Sequence, residues 1–418
     1  LFKQVLECYW KSEISLIASK ENSADIAIVG GGLVGLAASL AASRLGHKVC
    51  LVAPAMAEAD GRTSALLAES IKFLDALNIW DNLSQHAYGL KTMRIIDGTK
   101  RLFRAPQTDF NAGEIGLSEF GFNLENTFMA KVLNEALGSE TNFKRVESLA
   151  SGVETGLKDG NGNDIAAVET EDGNKITARI VFASDGRNSV IRKSLGIGER
   201  RWQYPQIALV GNFRHTLPHH DTSTEFHMET GPFTLVPLGE GRSSLVCVVD
   251  ENKAAELKAL GKAELDLNLE RKMASVLGKV DLEKPLQSFP LSAMIAEHFS
   301  KDNCLLGGEA AHVFPPIGAQ GLNLGLRDVA AFADLVRENG LTNPAGIAEK
   351  YSQMRSRDIH ARTYSVDLLN RSLLSNMLPV QMTRSFGLYA LGAFGPIRRL
   401  MMREGIGPTA NGRLNAGS

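Results

Sequence analysis

Cysteine is scarce in this sequence of 418 residues: four in all, Cys8, Cys50, Cys247 and Cys304, with no paired spacing. That argues against a disulfide framework or a zinc site and fits a reducing compartment. An excess of one charge is missing too. With 45 Lys and Arg against 47 Asp and Glu the formal net charge is −2, which gives nucleic acid no basic stripe to meet. No apolar run is long enough to span a bilayer. Lys3, Glu7, Lys11, Glu13, Lys20 and Glu21 interrupt the apolar positions of the first 24 residues, so a secretory apolar core is lacking there. Internal repeats and low-complexity tracts are absent. What remains, 44% hydrophobic and 22% charged residues, is the composition of a soluble globular protein, and the length calls for two or three packed units.

Against these absences stands one dense stretch, DIAIVGGGLVGLAA from Asp25 to Ala38. Ile26 to Val29 form the short apolar run of a buried parallel strand. Gly30, Gly32 and Gly35 then give the spacing G-x-G-x-x-G, and Leu36 to Leu45 continue as an alanine-rich helix. Gly30 allows the tight turn, Gly32 lets backbone approach a pyrophosphate, and Gly35 lets helix and strand pack closely. The helix N-terminus points its free N–H groups and positive dipole end at the phosphates. A second strand follows at Val49 to Val52. Dinucleotide folds place a ribose-binding acid at its end. Here the residue is Ala53, leaving Glu58, Asp60 or water to substitute.

Further along, Ser70 is expected to cap a short helix whose Ile71, Leu74 and Leu77 make an apolar stripe. Arg62, in the loop ahead of it, reads either as a pyrophosphate contact or as a solvated surface arginine. Strand-like spacing runs from about Tyr88 to Phe122, and helical spacing from Phe128 to Leu137. Turns at Lys158–Asp164 and Glu171–Asn174 read as hairpin tips of a β-meander. The first is not a calcium loop, because Asp164 stands where glycine is needed and Thr170 where glutamate is needed. Ile180 to Ala183 is a buried strand leading into SDGRNSVIR, and short strands dominate from about Arg200 to Pro290, with one helical insertion near Ala254 to Leu277. His215, His219 and His220 beside Asp221 read as a polar loop rather than a metal site. Cys304 to Gly307 is the next strand, Leu322 to Val336 an amphipathic helix, and the rest is helical from about Asn343, with breaks at Pro344, Pro379 and Pro396.

Three strand–turn segments therefore converge: the glycine turn, SDGRNSVIR (Ser184 to Arg192) and GEAAHVFPPIGAQGLNLGLRD (Gly308 to Asp328), which includes PPIGAQGLNLGLRD from Pro315. With GPFTLVPLGEGRSSLV from Gly231, the combination resembles the single-fold flavin-dependent aromatic monooxygenases, and within them the ubiquinone-biosynthesis hydroxylases acting on 2-polyprenylphenols and 2-polyprenyl-6-methoxyphenols. The resemblance extends over residues 25–405. It implies an α/β protein: a Rossmann-like FAD-binding domain (25–87, 123–198 and 300–342), an inserted, mainly antiparallel β-sheet substrate domain (88–122 and 199–299), and a helical C-terminal region (343–418) after an extension at 1–24.

The resemblance implies that Gly30, Gly32, Leu33, Val34 and Gly35 receive the FAD pyrophosphate with help from Arg62. Asp185, which also reads as a turn or helix cap, then belongs to a segment serving FAD and the nicotinamide donor. Glu309 stands where the family usually has an aspartate on the ribityl chain. Pro316, Gly318, Ala319, Gln320, Gly321, Leu322 and Asn323 form the flavin-ring loop, with the family's usual small pair inverted before Gln320. No metal is implied, and no catalytic acid or base stands out. The implied reaction uses NADH or NADPH and O2, through a flavin 4a-hydroperoxide, to hydroxylate an aromatic ring, a polyprenylated phenol of ubiquinone biosynthesis. Alternatives are a soluble aromatic substrate, or a non-catalytic FAD-binding subunit of a quinone-biosynthesis assembly. A cytoplasmic protein is expected, meeting the inner membrane surface and other quinone-biosynthesis proteins. Met382, Phe386, Tyr389 and Ala393, followed by Arg398, Arg399 and Arg403, read either as a membrane-facing helix or as one packed on the FAD domain.

Overall fold

The computed structural model describes residues 23–55, 61–99, 106–315 and 319–374, with 395, 398, 399 and 402. Its first sheet is built on continuous apolar strands buried on both faces, the signature of parallel pairing. β1 (Ser23–Val29) lies between β2 (Val49–Val52) and β11 (Lys175–Ala183), in register through Ile26↔Val49 and Ile26↔Ile180. β8 (Phe143–Val146) and β19 (Cys304–Leu306) extend it in parallel on either side, and β18 (Ser300–Lys301) closes one edge. β9 (Ala150–Lys158) and β10 (Asp164–Thr170) add the expected meander onto β11.

α1 (Leu33–Arg44) starts at Leu33, three residues before the expected Leu36, because Gly32 already serves as its N-cap. Leu36, Ala37, Ala38, Leu40, Ala41 and Ala42 are all buried, so this helix is apolar all round and runs through the core. α4 (Asn126–Gly138) packs on one side of it. On another side lies α8 (Gln320–Asn339), at a close approach where a Cβ on Gly325 would meet Val34 at 2.5 Å. α9 (Pro344–Leu374) packs on α8 in turn. No helix among the described residues is long and apolar enough to cross a membrane.

The second sheet runs β20-β17-β12-β15-β14-β13-β5-β6 and is antiparallel except between β13 and β5. Its strands are β5 (Thr92–Asp97), β6 (Thr108–Asn111), β12 (Glu199–His215), β13 (Thr222–His227), β14 (Pro232–Gly239), β15 (Arg242–Val249), β17 (Gln287–Ala296) and β20 (His312–Val313). β16 (Val280–Leu282) pairs beside β12. β20 departs from the sequence-based division: it lies within 300–342, yet it bonds to β17 through Met294↔Val313, because the chain crosses from one sheet to the other between β19 and α8. The single helical insertion resolves into α6 (Glu251–Ala259) and α7 (Lys262–Lys272), broken at Gly261.

A small third sheet joins β3 (Thr63–Leu67), β7 (Gly121–Glu125) and β4 (Tyr88–Gly89). β3 replaces the loop expected ahead of the short helix α2 (Ala68–Ala76). Leu67, not Ser70, is the N-cap of α2. Ser70 lies inside the helix, buried, with its hydroxyl turned to α8. The third sheet is tied to the second where Asn123 Nδ2 donates to Pro237 O at 2.9 Å and Arg242 Nη1 to Glu125 Oε1 at 2.7 Å.

Candidate cofactor and substrate site

β19, β11 and β1 are neighbours in one parallel sheet, so the loops leaving their C-terminal ends share one edge, where α/β sheets bind ligands. These loops are Gly307–Ala311, Ser184–Gly186 and the glycine turn. Gly30, at φ +108°, is pressed on the second loop: a Cβ there would lie 2.4 Å from Ser184 O and 2.9 Å from Asp185 N. A Cβ on Gly35 would lie 1.8 Å from Gly30 O. Gly32 is different. It is exposed, and a Cβ on it would meet nothing within 4 Å. No side chain caps α1 there, and its first turn holds no acid, so no cap or first-turn carboxylate answers the terminal N–H groups.

In the second loop, Asp185 Oδ2 accepts from Val190 N (2.8 Å) and Ile191 N (3.2 Å), capping α5 (Val190–Ser194). Its other oxygen, Oδ1, is buried with no partner among the described residues. An open glycine cradle at an uncapped helix end, beside an orphaned carboxylate oxygen, fits a dinucleotide that brings phosphates to one and a hydroxyl donor to the other. FAD satisfies both.

Arg192, whose role the sequence left open, is 1% exposed and binds the loops together. Nη1 donates to Ala310 O (2.6 Å), Nη2 donates to Arg187 O (3.0 Å), and the guanidinium pairs with Glu199. Glu309 projects outward, and Arg187 holds it through two 3.3 Å contacts. Behind it is a buried network that sequence reasoning missed. Asp328, fully buried on α8, accepts from Gly308 N (2.8 Å), His312 Nε2 (2.8 Å) and Arg355 Nε (2.6 Å). Burial alone would push its carboxyl up. The charges of His312 and Arg355 and the hydrogen bonds outweigh this and hold it below the usual carboxylate range. A signal was present: Asp328 sits four residues from both Leu324 and Phe332, on the buried stripe of α8.

Asn323, expected at the flavin, has its amide fully engaged by protein. Oδ1 accepts from Leu67 N (2.9 Å) and Ser70 Oγ (2.7 Å), while Nδ2 donates to Ala65 O (2.8 Å) and Ala319 O (2.6 Å). It clamps β3 to the start of α8, with both amide atoms hydrogen-bonded by protein. Ala319 takes the left-handed conformation (φ +53°) that glycine adopts freely, so the inverted small pair carries backbone strain where the helix begins. Gln320, Gly321 and Leu322 form the first turn of α8, while Pro316 and Gly318 lie outside the described residues.

Arg62 places its guanidinium 5.8 Å from the centre of the Phe289 ring on β17, and Gly61 O accepts from Asn212 Nδ2 at 2.9 Å. Ala53 is 1% exposed, and its neighbour at the end of β2 is basic. Arg145 donates from Nη2 to Pro54 O and from Nη1 to Asn134 Oδ1, both at 3.0 Å. Glu58 and Asp60 lie outside the described residues.

The Arg62 and Gly61 contacts identify the face of the second sheet that meets the segment leading into β3, the strand that Asn323 ties to the start of α8. Cross-strand register puts Ala208, Val210 and Asn212 on that face with Val248, Val246, Ser244, Thr234, Val236 and Phe289. Val210, Val236, Val246 and Phe289 are only half-buried, giving an apolar, partly open floor. On the opposite face, Leu209, Phe213, Phe233, Leu245 and Cys247 are sealed by Leu257, Leu265 and Leu269 of α6 and α7. The histidine cluster serves turns: His215 binds Leu217 O (2.8 Å) and Ser243 Oγ (3.0 Å), and His219 binds Gly239 O (2.7 Å). Burial pushes the Cys50 thiol up to about 11 and the Cys304 thiol up to about 12, so neither supplies a thiolate near neutrality.

The family described as "FAD binding domain" matches residues 23–361. The ubiquinone hydroxylase UbiL of Rhodospirillum rubrum is 32% identical over 402 residues, spanning 93% of this chain and 91% of that protein. The 3-demethoxyubiquinol 3-hydroxylase of Escherichia coli K12 is 28% identical over 400 residues, spanning 92% and 98%. Among solved structures, p-nitrophenol 4-monooxygenase PnpA of Pseudomonas putida superposes with a TM-score of 0.74 at 18% identity, over 92% of this chain and 98% of its own. Klebsiella pneumoniae HpxO, solved with FAD and uric acid, gives 0.71 at 17% identity over 92% and 97%; at these identities the two structures show the fold alone. Sequence, sheet edge and relatives agree: the chain belongs to the FAD-dependent aromatic monooxygenases, in the group of the ubiquinone-biosynthesis hydroxylases.

Proposed function

We propose that this protein hydroxylates the ring of a polyprenylated phenol in ubiquinone biosynthesis, with NADH or NADPH as reductant and O2 as oxidant. The observation that carries the substrate class is the apolar, partly open floor formed by Val210, Val236, Val246 and Phe289, on the sheet face that meets Gly61 and Arg62. An aromatic ring with an apolar chain gains by covering such a surface, at about 25 cal/mol per Å² removed from water. FAD, when bound, supplies the redox chemistry, taking a hydride from the nicotinamide and delivering one oxygen atom of O2 to the ring.

The chain's own residues bind and orient. The turn at Gly30–Gly35 and the start of α1 hold the pyrophosphate, with Asp185 Oδ1 accepting from a hydroxyl. The start of α8, from Ala319 to Leu322, favours negative charge on a reduced flavin. No second glycine fingerprint is present, so the nicotinamide docks transiently at the same loops. The membrane surface enters as a partner because a polyprenylated phenol partitions into the bilayer, and other quinone-biosynthesis proteins enter because its precursors are made there. Of the C-terminal segment read as membrane-facing, Met382, Phe386, Tyr389, Ala393 and Arg403 lie outside the described residues. Arg398 is engaged within the protein, donating from Nε to Glu114 Oε2 at 2.8 Å, and Met402 is buried with Ala112 and Phe120.

The test is NADH or NADPH oxidation by the purified FAD-loaded chain with 2-prenylphenol and, separately, phenol. Product should gain one oxygen by mass spectrometry, with the prenylated compound preferred. Equal or better turnover of phenol points instead to a soluble aromatic substrate. Absence of any hydroxylated product with every phenol tried favours the non-catalytic FAD subunit.

A further inference from the structure

Hydroxylating a phenol is easier from the phenolate, whose oxygen pushes electron density onto the ring, so a proton acceptor is needed near the substrate. The second sheet carries one on the face that meets Gly61 and Arg62. Glu225↔Thr234, Thr234↔Val246 and Val246↔Val210 put Glu225 in the same row as the apolar floor. His227, two residues on, shares that face and is paired with Pro232. His227 Nε2 lies 2.9 Å from Glu225 Oε1, and Glu225 Oε2 accepts from Thr234 Oγ1 at 3.4 Å. The imidazole is 9% exposed and the carboxylate 27%. Among the described residues, Nδ1 of His227 has no hydrogen-bond partner. Among the described residues, the other charged groups next to the imidazole along the chain and across the strands are Glu229, two positions on, and Asp97 of β5, opposite His227 and accepting from Thr99 N and Oγ1.

We infer that His227 and Glu225 are the acid–base pair that takes the phenol proton of the substrate, an assignment that rests on the phenol hydroxylation proposed above. With Nε2–H donated to Glu225, the imidazole lone pair is fixed at Nδ1. The phenol O–H bond breaks, its electron pair stays on oxygen, and the proton goes to Nδ1. Glu225 stabilises the imidazolium that forms. No electron transfer is involved. Once the ring carbon has gained oxygen and lost its hydrogen as a proton, the imidazolium returns a proton to the phenolic oxygen, and the pair is reset.

The test uses the FAD-loaded full chain, 2-prenylphenol, and hydroxylated product measured from pH 6 to 10 for wild type, His227→Gln and Glu225→Gln. At pH 7 His227→Gln should form product at least about 100-fold more slowly, with reductant consumption diverted to hydrogen peroxide. The deficit should close as pH approaches the phenol's own value of about 10, where no base is required. Glu225→Gln should show the same recovery from a smaller loss. Bound FAD and melting temperature report folding, and if His227→Gln does not fold, Glu225→Gln decides. A wild-type rate and pH profile in the variants, or a loss that alkaline pH does not restore, overturns the assignment while leaving the hydroxylase reading intact. A wild-type chain that hydroxylates no phenol overturns both.

Discussion

Replacing Asp328 by Asn tests whether the buried charge network holds the site together. Asp328 is fully buried and accepts three hydrogen bonds, two of them from His312 and Arg355. An amide keeps the shape, but it removes the charge and sets an NH2 against a donor on Arg355 or on Gly308. Removing one partner of a buried ion pair costs about 3–5 kcal/mol. Unfolding entropy of about 2.1 cal/mol/K per residue gives about 0.9 kcal/mol/K over 418 residues, so melting should fall by about 3–6 °C. Because Gly308 N is one of the donors, FAD affinity should fall as well. Arg355→Met in the same chain should recover part of the loss by removing the stranded cation. The carboxyl is held below its unfolded value of about 3.9, so it contributes stability above that pH and loses it as pH falls through the folded value. The Asn variant should therefore lose less stability than wild type on acidification below about pH 4. Differential scanning calorimetry of the holoprotein from pH 3 to 8 measures both effects. A melting shift under about 1 °C at pH 7 would refute the reasoning, since no buried pair of this geometry should be that cheap to break.

Gly32→Val should abolish flavin absorbance while leaving the apoprotein's melting temperature unchanged, because its side chain enters open space. Gly35→Ala should instead destabilise by about 1–3 kcal/mol or prevent folding, since its Cβ would fall 1.8 Å from Gly30 O. Arg192→Ala leaves Ala310 O without its donor, while Arg201 still holds Glu199 and Arg187 O, so it should cost about 1–3 kcal/mol in chemical denaturation. Arg187→Ala breaks only the half-exposed pair with Glu309 and should cost less than about 1 kcal/mol. With Ala53 and Arg145 where a ribose-binding acid is usual, one charge-assisted bond of about 1.5–3 kcal/mol is missing, so FAD should leave on exhaustive dialysis. A chain that stays fully yellow would show that another residue supplies the bond.

Features that depend on their own backbone were legible in the sequence. The apolar runs at Ile26, Val49, Ile180 and Cys304 could only be strands buried on both faces, and all four are parallel neighbours. The glycines of the first turn are constrained by their own φ and by contacts one loop away, so their spacing announced them. The hairpin tips at Asp159 and Asp172 were readable for the same reason: each carboxylate closes its turn onto residues no more than four positions away.

Side chains whose meaning lies in a distant partner were not legible. Ser70 looked like a cap because serine ahead of an apolar stripe commonly is one, yet its hydroxyl was needed by Asn323, 253 residues later. That same bond is part of a clamp the local sequence did not show: Asn323, locally a free amide at a helix start, is fully engaged by protein once β3 is laid beside it. Charge is the extreme case. The place of Asp328 on the apolar stripe of α8 signals burial, but nothing local names His312 and Arg355 as its partners, and burial is tolerable only because the three meet. The site is thus built on two kinds of constraint. Glycines shape the space from inside the first turn, and a buried ionic network fixes, from behind, the loop that faces it. The second constraint makes the departure at Glu309 tolerable: the Gly308 turn is held by Asp328 and by Arg192 at Ala310 O, so the outward side chain can change without moving the backbone that carries it.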